Sequence, residues 1–116
     1  MSLREAIVLI NTGEYGPAIS ILEEGASDES KSPSERVGYC EWLAECHRKL
    51  EDYKTSGDWY LEGVKKVFLQ QTDVKSKARQ ALPLSEKALQ NYRLQGDTVD
   101  VLEASKLKQR LLALSK

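Results

Sequence analysis

One phrase is written three times along this chain. It is an apolar helical stripe, a short turn carrying acidic residues, and a second stripe that opens on small residues. Ile10–Gly25 reads INTGEYGPAISILEEG, His47–Gly63 reads HRKLEDYKTSGDWYLEG, and Tyr92–Leu107 reads YRLQGDTVDVLEASKL. A helix pair that recurs every ~40 residues cannot bury its apolar faces alone, so neighbouring pairs must stack. The phrase therefore predicts an all-α α-solenoid of about three antiparallel helix hairpins, and solenoids mostly hold other molecules.

Six helices and no strands follow from the apolar spacing. Helix one, Ser2–Asn11, aligns Leu3, Ala6, Ile7 and Ile10. Thr12-Gly13-Glu14 turns the chain, and helix two, Tyr15–Gly25, packs through Ala18, Ile21 and Leu22 with Pro17 in its first turn. Ser32-Pro33-Ser34-Glu35 is the strongest helix start: an N-cap Ser, Pro at N1 and Glu at N3. Helix three then carries Val37, Cys40, Leu43, Ala44, His47 and Leu50. After Glu51-Asp52, helix four carries Tyr53, Tyr60, Leu61, Val64, Val67 and Phe68, with Ser56 and Gly57 small where it must approach helix three. Thr72 is the expected cap of helix five, whose face runs Val74, Ala78, Ala81, Leu82, Ala88, Leu89 and Tyr92. Pro83 is expected to kink or split that helix. Gln95-Gly96-Asp97 makes the last turn before helix six, with Val101, Ala104, Leu107, Leu111 and Leu114 on one side. The chain reads as a single domain, residues 1–116, in units of about 2–26, 33–71 and 73–115.

Charge is unevenly placed. Met1–Glu62 holds 13 acidic and 6 basic residues, a net of −7; Gly63–Lys116 holds 5 and 11, a net of +6; the sum is the overall −1. The chain is a dipole with an acidic front and a basic back. No apolar run approaches the ~18 residues of a membrane span, and Ala6–Ile10 is too short for a signal-peptide core. Cys40 and Cys46 lie about 240° apart around one helix, so they cannot pair. Free thiols without an export signal suggest the cytoplasm.

The three phrases resemble the tetratricopeptide repeat, a 34-residue pair of antiparallel helices. The middle unit matches through Leu43-Ala44, His47, Glu51-Asp52-Tyr53, Ser56, Tyr60 and Gly63. The first matches through Ala6, Leu9, Gly13-Glu14-Tyr15, Ala18, Leu22 and Gly25. The third matches more loosely, through Ala88-Leu89, Tyr92, Gly96-Asp97, Val101 and Ser105. The resemblance implies a right-handed superhelix whose first helices line a concave groove. Carried over, it implies partner contacts at Asn11, Glu41, Glu45, Arg48, Lys49, Glu86, Gln90 and Arg93. Against this stands the reading of solvated helix positions paired at i,i+4, as Glu45–Lys49 would be. The subtype that clamps chaperone tails ending in Glu-Glu-Val-Asp is not implied, because Leu3, Ile7 and Trp42 stand where it uses Lys and Asn.

Catalysis is not expected. His47 and Cys46 are adjacent on a helix and point about 100° apart, a poor nucleophile–base pair. One His and two badly spaced Cys do not make a zinc set, and Glu41 and Glu45 lack the accompanying Glu-x-x-His of a di-iron site. No metal or cofactor is expected. Nucleic acid is the weaker partner: Lys65, Lys66, Lys75, Lys77, Arg79, Lys87 and Arg93 are basic, but the pI is about 5.9 and the acidic half would repel phosphate. The expected function is non-catalytic binding of a protein or peptide segment, without membrane contact. Self-association through helix six is the main alternative.

Overall fold

The computed structural model describes residues 2–116, and every regular element among them is helical. α1 spans Leu3–Asn11, α2 Tyr15–Ser27, α3 Pro33–Lys49, α4 Tyr53–Val67, α5 Val74–Gln95 and α6 Thr98–Leu114. Each helix packs chiefly on the next in the chain, in an envelope of 39 × 35 × 18 Å.

Helix starts follow from short polar side chains that satisfy the first free backbone donors. Ser2 accepts from the Glu5 amide, Ser32 from Glu35, Asp52 from Thr55, Asp73 from Ser76 and Asp97 from Asp100. Asp73, not Thr72, is therefore the cap of α5. A carboxylate can accept from the Ser76 amide and hydroxyl together, at 2.8 and 2.9 Å, and these bonds hold its pKa below the ordinary carboxylate value.

Three connections share one geometry. Gly13, Glu51 and Gly96 each have a positive φ, of 80°, 61° and 81°. In each turn the following amide donates back five residues: Glu14 to Leu9, Asp52 to His47 and Asp97 to Tyr92. This is the bond pattern of a helix ended by a left-handed residue. Two turns use Gly, which adopts that conformation freely; the middle one places a Glu there.

Pro83 lies inside α5, which runs uninterrupted for 22 residues. Of the kink or split expected there, the split does not occur. The proline ring faces solvent, while Ala81, Leu84, Ser85 and Ala88 around it are buried against neighbouring helices. Tertiary packing thus outweighs a lost donor that costs about 3 kcal/mol in an isolated helix.

The core has two parts. One gathers α1, α2 and α3 around Ile10, Leu22, Tyr39 and Leu43; the other joins α3 to α6 around Tyr60, Val64, Leu84, Tyr92 and Leu111. Small residues set the close approaches. The buried Ser56 hydroxyl donates to the Ala44 carbonyl of α3 at 2.7 Å and accepts from Asn91 of α5 at 3.0 Å. A polar relay thus crosses three helices, and only the Asn91 Oδ1 end is left without a partner. Gly57 does not face α3 as its position beside Ser56 suggested. A Cβ there would lie 2.6 Å from the Tyr92 ring, so this glycine admits α5.

Candidate functional site

The Tyr60 hydroxyl ties the charged face of α3 to the core through Glu45. α4 buries the ring, and the hydroxyl donates to Glu45 Oε1 on α3 at 2.9 Å. Burial pushes the phenol pKa well above its usual value. The Glu45 carboxylate adds to that, Arg48 opposes it and Glu41 adds a little more. Glu41, Glu45 and Arg48, at i, i+4 and i+7, share one face of α3, and Glu45 on that face accepts the Tyr60 hydroxyl. From α5, Lys87 sets its ammonium 5.6 Å from the Tyr60 ring centroid, a cation–π distance. Three helices therefore contribute to one patch of acidic, basic and aromatic groups.

The charges of this patch are not spent on one another. Among the described residues, ion pairs within 4.0 Å join His47 to Asp52, Lys54 to Asp58 and Asp100, Glu62 to Lys65 and Lys66, and Glu103 to Lys106. None involves Glu41, Glu45, Arg48, Lys49 or Lys87, and the i,i+4 pair Glu45–Lys49 does not form.

The other sequence-derived candidates are dispersed. Lys49 is exposed at the end of α3, and Asn11 is exposed at the end of α1. Glu86 and Gln90 are exposed on α5. Arg93 lines hollows between α5 and α6, and Glu86, seven residues earlier, lies on the same helical stripe. The structure thus brings Glu41, Glu45 and Arg48 together and sets Arg93 in a different groove. It adds Tyr60 and Lys87, which sequence reasoning assigned to the core and to the general basic half. Lys87 sits three residues before Gln90, a spacing that already put it beside the candidate stripe.

A cavity of about 740 Å³ opens between α2, α3 and α4 and is lined by Ala26, Arg36, Trp59, Glu62, Lys65 and Lys66. Its charged groups are occupied. Arg36 Nε donates to the Ala26 carbonyl at 2.9 Å, and Glu62 lies 3.0 Å from Lys65 and 3.6 Å from Lys66. Burial would raise the Glu62 pKa, but the two lysines outweigh it and hold it low.

The cysteines are held as thiols. Both thiols are buried and unpaired, and burial pushes each up to about 11. His47 turns its Nδ1 toward Asp52 at 3.6 Å, across the α3–α4 turn. Among the described residues no three of His, Cys, Asp and Glu come together as a metal set, and no helix is long and apolar enough to cross a membrane.

In comparisons with known proteins, no family model, no curated protein and no solved structure matches this chain.

Proposed function

We propose that this chain is a non-catalytic protein-interaction module, a right-handed α-solenoid of three tetratricopeptide-like hairpins that binds a segment of a partner protein. The three left-handed turns of equal bonding pattern support the repeat arrangement. The observation that carries the binding role is the open charge patch around Tyr60. Glu45 accepts the hydroxyl of the buried Tyr60, Lys87 lies over its ring, and Glu41 and Arg48 share the α3 face of Glu45, yet among the described residues no ion pair within 4.0 Å involves any of these four charges. Charged groups held on rigid helices around an aromatic suit recognition of an extended or helical segment carrying charges of both signs. The role is that of a scaffold or adaptor working in the cytoplasm.

The test is capture of partners from source lysate by the native chain and by an Arg48→Glu/Lys87→Glu variant, after helical content and melting are matched. A defined protein retained by the native chain and lost by the variant supports the patch. Identical capture by both chains rejects it.

A further inference from the structure

The two ends of the helix series carry grooves of similar build and opposite charge. At the front, α1 and α2 enclose a hollow of about 450 Å³. Its floor is Leu9, Pro17 and Ile21; its only charged lining groups are Glu5 and Glu24, and neither is in an ion pair among the described residues. Val8 projects from the same α1 stripe as Glu5 and is 57% exposed, a large apolar side chain with nothing over it.

At the back, α5 and α6 enclose two adjoining hollows of about 550 and 260 Å³. Arg93 and Ser105 line both, so they form one trough. Its floor includes Leu89, Val101, Leu102 and Leu112, of which Leu102 is 55% and Leu112 38% exposed. Its only charged lining groups are Arg93 and Lys108, again without an ion pair.

We infer that the α5–α6 trough receives the α1–α2 edge of a second copy of this chain, giving head-to-tail association. Val8 and Leu9 of one copy meet Leu102 and Leu112 of the next, while Glu5 and Glu24 meet Arg93 and Lys108. Each end carries two charges of one sign beside apolar side chains, so apolar burial and charge pairing favour the same docking. Equal ends would repel: trough to trough brings four cations together, and front to front brings four carboxylates together. The contact joins two different patches, so it leaves a free trough and a free edge on every assembly. It propagates unless the rotation between copies closes a ring.

Sedimentation of the full chain from micromolar to millimolar concentration tests this. The expected result is a weight-average mass that rises past the dimer and falls when salt screens the charges. Glu5→Lys/Glu24→Lys and Arg93→Glu/Lys108→Glu should each raise the concentration for half-association by about tenfold or more. An equimolar mixture of the two variants should regain association, because it pairs an unaltered trough with an unaltered edge. Circular dichroism first establishes that both variants keep native helicity. A chain that stays monomeric throughout overturns the inference. So does a mass that levels at the dimer and is insensitive to the Glu5 and Glu24 changes, which would mean a two-fold pair through the trough. A mixture of folded variants that remains monomeric overturns it as well.

Discussion

Two tyrosines in this molecule are built alike and used differently. Tyr60 and Tyr92 are both buried, each donates its hydroxyl to a carboxylate, and each has a lysine ammonium over its ring at 5.6 and 5.5 Å. Around Tyr92 the charges close on themselves. Asp58 accepts its hydroxyl at 2.6 Å, and Lys54 reaches Asp100 at 2.7 Å and Asp58 at 3.4 Å, tying the start of α4 to that of α6. The Asp100 hydrogen bond is the leading cause that holds the Lys54 pKa above its usual value. Around Tyr60, Lys87 and Arg48 have no such carboxylate. The same aromatic device is a closed clamp between helices in one place and an open patch in the other. The difference is whether the lysine already has its counter-charge.

The comparison breaks most visibly at Gly57. Tyr92 can reach Asp58 only because the residue before it has no side chain, so Gly57→Ala pushes a methyl into the ring. The ring is held by its own hydrogen bond and cannot swing aside without losing it. We expect a loss of about 2 kcal/mol, in the range of overpacked cores, read as a lower urea midpoint at unchanged slope. Gly38→Ala is the control: nothing lies within 4 Å of a Cβ there, and relief of a mid-helix glycine should add about 0.5–1 kcal/mol. If both substitutions stabilise, Tyr92 is not tightly seated and the clamp does not exist.

Removing the hydroxyls separates the two roles. Tyr92→Phe should cost about 1.5 kcal/mol, the lower end of what a hydrogen bond to a charged group contributes, and leave partner capture unchanged. Tyr60→Phe should cost a similar amount but also free Glu45 from its side-chain hydrogen bond, weakening capture several-fold. Urea melts and a binding titration with the captured partner measure both. Equal effects on binding from the two variants would erase the distinction.

How far the sequence carried the fold depends on whether the signal is local. Turns at Gly13 and Gly96 and the Ser32–Glu35 start depend on neighbours a few residues away, and they stand where the sequence put them; the apolar stripes hold within the helices, but Leu50, Val74 and Leu114, expected on them, are exposed at the helix ends, where no neighbouring helix covers them. Thr72 and Asp73 are adjacent capping residues, and only the charged one bonds Ser76 twice. The uninterrupted course of α5 through Pro83 and the facing of Gly57 were not legible. Both depend on contacts across helices, Gly57 with a ring 35 residues away, and periodicity within a helix does not state the register between helices. The site divides the same way. The resemblance put Glu41, Glu45 and Arg48 on one groove-lining face of α3, but that Tyr60 and Lys87 complete the patch is a statement about three helices at once.

The smallest expected effect comes from pH and asks whether both tyrosines are sealed from water. Tyr60 and Tyr92 have pKa values raised above 10.0 by burial first and by their carboxylate partners second, and Cys40 and Cys46 are raised by burial from 9.0 to about 11. Each group keeps its proton longer in the folded chain than in the unfolded one. Stability is therefore fully present below the unfolded pKa and is lost as pH rises through the folded one. The thiols act first. At pH 9 each is half-ionised only when unfolded and removes about 0.4 kcal/mol. The tyrosines follow above pH 10. A Cys40→Ala/Cys46→Ala chain should move the onset of alkaline loss from about pH 9 to about pH 10, measured by urea midpoints across that window. In that background, adding Tyr92→Phe or Tyr60→Phe should each remove part of the remaining slope. Were only Tyr92→Phe to do so, the Tyr60 hydroxyl would already be open to solvent, and the patch would bind through water rather than through a dry aromatic contact.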